Sequence, residues 1–352
     1  MPNVGDGGAK ADISPSAFPV SHPRIRSILI IKPSSLGDIV HTLPAVALIR
    51  DACPSARITW VINPEWAPLL RGNKSVDHVH IFPRGELGGL GMATRLLPWM
   101  RKTGRLQPDV ALDFQGLLRS ALIGRTSHPR EFYGMSDARE GATRLYDHVA
   151  RVDRNAHAVE RYLTLIENFG VPVHRPLRFP FPTGDSIQRF DDEEPYVLLH
   201  PFSRGRRKSL SDLTVEEFCR ALAPVRVVLA GRTRRKIPAP DNCINLLNHT
   251  SILQLVWLIR RARFTVSVDS GPMHIAAALT DRLISIHTWS DPRKVGPYNE
   301  NAWVWKNGKL MQARELAPAT RRSKSRGFQV RDVATLLPLI EPHLKEANTP
   351  SR

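Results

Sequence analysis

The sequence is poor in cysteine and lacks the short motifs that mark several common enzyme classes. Its three cysteines, Cys53, Cys219 and Cys243, are far apart and form no C-x-x-C pair. Neither a disulfide framework nor a zinc site is therefore predicted, and a reducing, cytoplasmic setting fits. The absence of G-x-x-x-x-G-K-[ST] and of G-x-G-x-x-G disfavours a kinase or an NAD enzyme of the usual kind. H-E-x-x-H and D-x-D are also missing, so we expect no metal and no cofactor.

Long hydrophobic runs are missing as well. No apolar run approaches the roughly 20 residues that span a bilayer, and the first 25 residues contain no continuous hydrophobic core. We therefore predict no transmembrane helix and no signal peptide, and we expect residues 1–25 to be a disordered extension. Any contact with a membrane is then made from the cytoplasmic face.

Acidic residues are scarce relative to basic ones. The chain has 50 Lys and Arg residues against 33 Asp and Glu residues, which gives a net charge of +17. Such a field favours phosphate-rich partners, namely nucleic acid, anionic lipid headgroups or a nucleotide-sugar. Nucleic acid is disfavoured because the basic residues are dispersed and no recognisable RNA or DNA module accompanies them.

The most informative stretch, from Ile28 to Pro44, is I-L-I-I-K-P-S-S-L-G-D-I-V-H-T-L-P. Four aliphatic residues predict a buried strand, the Pro-Ser-Ser that follows predicts a tight loop, and later apolar residues at helical spacing predict a helix. Asp38 and His41 stand at the start of this helix, beside the strand end where open α/β sheets bind ligands. Asp38 is either a first-turn helix charge or a catalytic base, and from the residues alone the helix charge is favoured.

Strands and helices alternate along both halves of the chain, which is the pattern of a mostly parallel sheet with helices on both faces. Five prolines and a Gly-Asp turn between residues 171 and 195 indicate an interdomain linker. We therefore predict an α/β protein with two Rossmann-like domains that face each other across a central cleft. The predicted parts are an N-terminal domain at 26–175, a linker at 176–194, a C-terminal domain at 195–328 and a helix at 329–346 that can pack back on the N-terminal domain.

A second informative stretch, from Ser267 to Leu279, is S-V-D-S-G-P-M-H-I-A-A-A-L. Gly271 lets the backbone turn closely and Pro272 suits the first turn of a helix, whose free amides form a ready anion site. This turn is typical of a diphosphate-binding site. The alternative is that Asp269 only caps the helix and His274 only packs.

The loop after the predicted strand 196–200 is the expected partner of this turn. Ser203 can donate a hydrogen bond there and Lys208 can neutralise a leaving phosphate. Two basic runs, Arg204 to Lys208 and Arg232 to Lys236, either bind a further donor phosphate or form a solvated face. The solvated face is favoured because charge runs usually form one.

Four motifs together resemble the ADP-heptose:lipopolysaccharide heptosyltransferases of glycosyltransferase family 9, especially the type I enzyme. They are Lys32 to Pro44, Asp113 to Leu122 (D-F-Q-G-L-L-R-S-A-L), His157 to Arg161 (H-A-V-E-R) and Ser267 to Leu279. They occur in family order and span about residues 26–345. The resemblance implies a GT-B fold and an inverting, metal-independent transfer of L-glycero-D-manno-heptose from ADP-heptose to a Kdo residue on lipid A. It makes residues 26–175 the acceptor domain and residues 195–328 the nucleotide-sugar domain. It also implies a cytoplasmic enzyme, peripheral on the anionic inner face of the inner membrane.

The resemblance also implies a role for individual residues. Asp38 matches the general base that deprotonates the acceptor hydroxyl. Lys208 matches the lysine that contacts the donor phosphates, and Asp269 matches the acid that holds the donor sugar. The further matches are Ser270, Gly271 and His274 as donor contacts and Lys32 and Arg119 as acceptor contacts.

One departure from the family keeps alternatives open. The family commonly has a glutamate after the strand equivalent to Val225 to Ala230, where it touches the ribose, but here the loop is G-R-T-R-R-K. A family 9 enzyme with another nucleotide-sugar or acceptor is therefore the main alternative. A sugar-nucleotide epimerase on the same scaffold is a further one, and product analysis without an acceptor distinguishes it.

Overall fold

The structure is a computed structural model that describes residues 25–86, 92–188, 190, 194–316 and 325–345. The expected extension at residues 1–25 therefore lies outside the described residues except for residue 25. Two sheets, one in each half of the chain, organise the described residues, which confirms the predicted α/β class. None of the helices in these ranges has the length and apolar character needed to cross a membrane.

The N-terminal half contains a six-stranded parallel sheet in the order β3-β2-β1-β4-β5-β6. Its strands are β1 (Ser27–Ile31), β2 (Arg57–Ile62), β3 (His78–Ile81), β4 (Val110–Asp113), β5 (Glu131–Met135) and β6 (His148–Ala150). Because β1 pairs with both β2 and β4, the strand order reverses next to it. The crevice at such a reversal is where open α/β sheets bind their ligands.

Four helices accompany this sheet: α1 (Leu36–Ala52), α2 (Met92–Gly104), α3 (Leu118–Thr126) and α4 (Ala158–Asn168). Helix α1 packs against α4 and is buried along most of its length. Strand β1 is buried on both faces, which explains its unbroken run of aliphatic residues.

The C-terminal half contains a seven-stranded sheet in the order β13-β12-β11-β10-β7-β8-β9. It is parallel except for β13, which pairs antiparallel with β12 at one edge. The strands are β7 (Tyr196–His200), β8 (Arg226–Leu229), β9 (Cys243–Asn245), β10 (Phe264–Val268), β11 (Leu283–His287), β12 (Trp303–Lys306) and β13 (Lys309–Gln312). The helices are α5 (Asp212–Ala221), α6 (Ile252–Arg261), α7 (Gly271–Leu279), α8 (Pro292–Val295) and α9 (Leu337–Lys345).

The C-terminal helix α9 packs on the C-terminal domain, so the expectation that it packs back on the N-terminal domain is wrong. Ile340 is buried in the same core as Val333, Leu336 and Phe264. The ring of His343 lies 5.3 Å from the ring of Phe264 on β10. Apolar residues of α9 and of the turn before it thus cover this sheet together with α5.

Candidate active site

Lys32 follows β1 and is buried inside the N-terminal domain. Its Nζ donates to the carbonyl of Phe114 and to the hydroxyl of Tyr162, each at 2.8 Å. Burial lowers the pKa of Lys32, although the charges of Asp38 and Asp113 oppose this. Lys32 therefore joins β1 to the end of β4 and to α4, and it is also part of the wall of a cavity.

Asp38 lies in the first turn of α1, and its Oδ2 accepts hydrogen bonds from the backbone N–H of Ser35 at 3.0 Å and from its hydroxyl at 2.8 Å. Burial raises the pKa of Asp38, but Lys32, the Ser35 bonds and His274 outweigh it, so the net pKa is lowered. The carboxylate is therefore ionised at neutral pH. Because both bonds go to Oδ2, Oδ1 remains available to another group, and the helix-start and base interpretations are compatible.

A cavity of about 450 Å³ opens at the carboxyl end of the N-terminal sheet. Four cations face two acids around it, so it suits an anionic ligand. Arg161 forms an ion pair with Asp137 across the wall, whereas Arg139 and Arg154 are exposed. The lining residues are Lys32, Asp38, Phe114, Gln115, Gly116, Met135, Asp137, Ala138, Arg139, Arg154, Arg161 and Tyr162.

Sequence reasoning missed the three arginines of this cavity. The H-A-V-E-R motif was the signal available for Arg161, whereas Arg139 and Arg154 lie in a polar stretch without a clear period. Arg119, expected at the acceptor, is exposed on α3 and is not a lining residue of the cavity. Its acceptor role stays a prediction.

On the C-terminal side, Lys208 and Asp269 form an ion pair with Nζ 2.6 Å from Oδ2. Burial raises the pKa of Asp269, but His287, Lys208 and Ser290 outweigh it, so the net pKa is lowered. Ser203, in the loop after β7, is half-buried, and its backbone N–H donates to the hydroxyl of Ser209 at 3.1 Å. The structure thus brings together Lys208 and Asp269, which are 61 positions apart in the sequence.

Helix α7 begins directly after Asp269 and Ser270. Ser270 has an extended backbone, and its Oγ lies 3.3 Å from Nδ1 of His200 and makes no cap bond to the helix. The Ser270 side chain thus leaves the first-turn amides able to bind an anion, and the anion site at Gly271 stays a prediction. Within the described ranges, no three His, Cys, Asp or Glu side chains come together to hold a metal ion.

The starts of α1 and α7 meet at two glycines. A Cβ on Gly37 would lie 2.5 Å from the ring of His274, and a Cβ on Gly271 would lie 2.5 Å from the side chain of Leu36. Such distances are too short for real contacts, so only glycine permits this approach. The contact brings Asp38 and the Lys208–Asp269 pair to the two sides of His274, whose pKa is affected by all three charges.

We expect Gly37→Ala to lower kcat/KM by about tenfold or more, because the added methyl group separates α1 from α7 and a displacement of about 1 Å can cost on the order of 100-fold. Transfer assays and thermal melting of purified protein measure the effect. The matched control is Gly85→Ala, since among the described residues no atom beyond its chain neighbours lies within 4 Å of a Cβ there. Wild-type kinetics in Gly37→Ala would show that close contact between the helices is unnecessary.

A buried histidine pair also crosses between the domains. Nε2 of His41 on α1 lies 2.9 Å from Nδ1 of His274 on α7. Beside it, Nε2 of His157 lies 3.2 Å from the carbonyl of Gly296. Burial lowers the pKa of His41 and His274, and it lowers that of His157 to about 4. These rings are therefore neutral at pH 7 and join the domains by hydrogen bonds without charge.

Four buried histidines predict a loss of stability in mild acid. Their pKa is lowered from 6.5 to about 4, mainly by burial, so the unfolded chain binds protons first as the pH falls. Stability is thus complete above pH 6.5 and is lost progressively towards pH 4. We expect the Tm of the wild type to fall across this window, as measured by circular dichroism. The four residues are His80, His157, His200 and His287.

His80→Asn should have a shallower decline of Tm with acidification than the wild type, because one of the lowered pKa values is removed. His174 is exposed, so His174→Asn should keep the wild-type slope and is the matched control. A Tm that does not change between pH 6.5 and pH 4.5 would contradict the assignment of neutral buried histidines.

The two basic runs, Arg204 to Lys208 and Arg232 to Lys236, differ in their contacts. Arg235 forms an ion pair with Asp212 at 2.7 Å and lies over the ring of Phe202, so it stabilises its own domain. Arg207 lies over the ring of Trp289, which is 59% exposed. Arg232 is exposed, as a solvated face predicts.

Comparison with known proteins places the chain in one family. The model of "Glycosyltransferase family 9 (heptosyltransferase)" matches residues 99–324. Lipopolysaccharide heptosyltransferase 1 of Salmonella typhimurium is 26% identical over 298 residues, which cover 78% of this chain and 92% of that protein. Lipooligosaccharide heptosyltransferase 2 of Haemophilus influenzae is 26% identical over 324 residues, with 82% and 91% covered.

The structure of E. coli heptosyltransferase WaaC with ADP superimposes with a TM-score of 0.64 at 25% identity, over 79% of this chain and 92% of that one. The two facing Rossmann-like sheets and this likeness confirm the GT-B fold. Because the family model matches well over half of the chain, the chain belongs to glycosyltransferase family 9, the heptosyltransferases, and is a glycosyltransferase.

Proposed function

We propose that the protein is a heptosyltransferase of lipopolysaccharide core synthesis that transfers L-glycero-D-manno-heptose from ADP-heptose to a Kdo residue of Kdo-lipid A. The observation that carries the proposal is the contact of α1 with α7, which sets Asp38 opposite the Lys208–Asp269 pair. One side of this contact then belongs to the acceptor and the other to the donor.

On the acceptor side, the four cations of the 450 Å³ cavity favour an anionic sugar such as Kdo. Asp38 is ionised, and its Oδ1 accepts the proton of the attacking hydroxyl. Lys32 lies behind it as a buried cation and supports its charge.

On the donor side, the diphosphate is assigned to the start of α7, where the first-turn amides and the positive end of the helix dipole favour negative charge. Lys208, which is about one-third exposed, neutralises the ADP that leaves when the bond from the anomeric carbon to the phosphate oxygen breaks. Asp269 holds the donor sugar, and Ser203, Ser270 and His274 complete the contacts. The proposed transfer is a single displacement, so the configuration of the anomeric carbon is inverted, and no metal takes part.

The identity of the acceptor is a more specific proposal than heptosyl transfer itself. Relatives named heptosyltransferase 1 and relatives named heptosyltransferase 2 both match this chain, so another acceptor in the lipopolysaccharide core is the alternative. The H-A-V-E-R motif favours the type I acceptor. A lipid-linked acceptor also suits a cytoplasmic enzyme that is peripheral on the inner face of the inner membrane.

The donor is tested by calorimetry with ADP, UDP and GDP. The specific reason to compare them is the segment 231–236 after β8, which contains no acid. The backbone of Thr233 in this segment is bonded by both amide atoms of Asn248, which follows β9. We expect ADP to bind more tightly than UDP or GDP, and ADP-heptose to bind more tightly than ADP. Binding of UDP without binding of ADP would contradict the heptose donor and leave the fold unaffected.

A further inference from the structure

One part of the N-terminal domain is entirely free of acidic residues. Residues 92–108 and 114–130 contain no Asp or Glu, and they include α2 and α3, which pack side by side. Arg95, Arg101, Lys102 and Arg105 are exposed on or directly after α2. Within the described parts of the chain, none of these four cations forms an ion pair. The four cations of the α2 segment therefore present uncompensated positive charge, whereas Arg125 and Arg130 of the α3 segment pair with Asp147 and Asp109.

The same two helices also expose large apolar side chains. Leu97 and Met100 on α2 are 53% and 37% exposed, and Leu118 and Leu122 on α3 are 39% and 51% exposed. The spacings of three and four residues place each pair on one face of its helix. Between α2 and the end of α3 lies a groove of about 510 Å³, to which Leu97 and Met100 contribute. Apolar contact area thus lies directly beside the free cations.

We propose that this α2–α3 surface, made of the four apolar residues and the four cations, docks the protein on an anionic lipid bilayer. Apolar side chains that enter the headgroup boundary, combined with Lys and Arg that contact lipid phosphates, are what holds an amphipathic helix at a membrane surface. Nucleic acid fits less well, because phosphate contacts would use the cations and leave the leucines exposed to water.

The position of the surface relative to the cavity fits this docking. Gln115 and Gly116 line the cavity, and α3 begins two residues later at Leu118. A lipid-linked sugar presented by a docked bilayer is therefore adjacent to the mouth of the acceptor cavity, with the exposed Arg119 between the two. The presentation of a lipid-linked sugar to the cavity rests on the proposed function. Binding of the surface to lipid does not depend on catalysis.

The test is co-sedimentation of the full chain with vesicles of phosphatidylcholine, with and without phosphatidylglycerol. We expect binding to the anionic vesicles that weakens with salt. Arg101→Gln/Lys102→Gln should lower the partition coefficient on the order of 20-fold, since each cation near the surface contributes about fivefold. Leu97→Ser/Leu122→Ser, which keeps every charge, should lower it by about tenfold.

Matched controls come from the C-terminal domain. Leu213 is 69% exposed and Lys309 and Arg314 are exposed, so Leu213→Ser and Lys309→Gln/Arg314→Gln should partition as the wild type does. Equal losses in the controls, wild-type binding by the leucine variant, or preference for duplex DNA over anionic vesicles would each overturn the proposal.

Failure of the docking proposal is distinguishable from failure of the proposed function. All variants should bind ADP with wild-type affinity and should transfer heptose to a detergent-solubilised acceptor. No vesicle binding together with normal transfer would overturn the docking surface alone. Vesicle binding without transfer from any donor would overturn the function alone.

Discussion

Asp38→Asn is expected to lower kcat by about 10²- to 10⁴-fold, the usual contribution of a positioned general base, while ADP affinity stays within about twofold. Asparagine has nearly the same shape as aspartate, and its Oδ1 can still accept hydrogen bonds from Ser35. It cannot take the proton of the acceptor hydroxyl. Steady-state kinetics with saturating donor and acceptor, together with calorimetry for ADP, measure the two quantities.

A control variant, Ser35→Ala, distinguishes a role of Asp38 as general base from a role in starting helix α1. Ser35→Ala removes one of the two hydrogen bonds to Oδ2 and should cost stability of about 1 kcal/mol, with kcat much less affected than in Asp38→Asn. If Ser35→Ala and Asp38→Asn lower kcat equally, Asp38 acts only by beginning α1. Turnover retained by Asp38→Asn would remove it from the base role.

Lys208→Gln is expected to lower kcat by about 10²- to 10³-fold, the typical cost of losing one group that stabilises developing negative charge. Glutamine cannot neutralise the leaving ADP, and it leaves the carboxylate of Asp269, which is 6% exposed, without its cation. We therefore also expect weaker ADP binding and a lower Tm. Kinetics, calorimetry and thermal melting separate these three effects.

The double variant Lys208→Gln/Asp269→Asn decides between a donor contact and an ion pair that is only structural. It removes both charges of the pair, so the Tm should return towards the wild-type value, because no buried carboxylate is left unpaired. Transfer should remain impaired. Recovery of transfer along with Tm would contradict the phosphate role of Lys208. Lys236→Gln, which changes an exposed cation of the other basic loop, is the control and should behave as the wild type.

Much of the fold could be predicted from the sequence where local patterns are strong. The strand predicted from the aliphatic residues at 28–31, the strand predicted at 196–200 and the helix predicted at Gly271 are all present. A proline, which is a strong turn signal, follows each of these two strands within two residues. Strands β5, β6, β9, β12 and β13 were missed. They lie towards the sheet edges, where side chains are less uniformly apolar and pairing with distant residues decides the structure.

The two loops of the site, at Asp38 and at Asp269, could be predicted from the sequence, but the contacts between distant residues could not. Asp38 and the turn at Asp269 follow strands with clear ligand-site chemistry. The His41–His274 contact joins residues 233 positions apart, and no local pattern indicates it. The requirement for Gly37 and Gly271 likewise arises only when the two domains meet. The lack of acidic residues in α2 and α3 can be read from the sequence. Which faces of these helices are exposed depends on how they pack.

The central claim is tested most directly by mass spectrometry of the lipid after incubation of the protein with ADP-heptose and Kdo-lipid A. We predict that the acceptor gains the mass of one heptosyl residue, with release of one ADP per residue transferred, and that Asp38→Asn forms almost none of this product. An unmodified acceptor, with either an isomerised donor or transfer only from a different nucleotide-sugar, would contradict the proposed function.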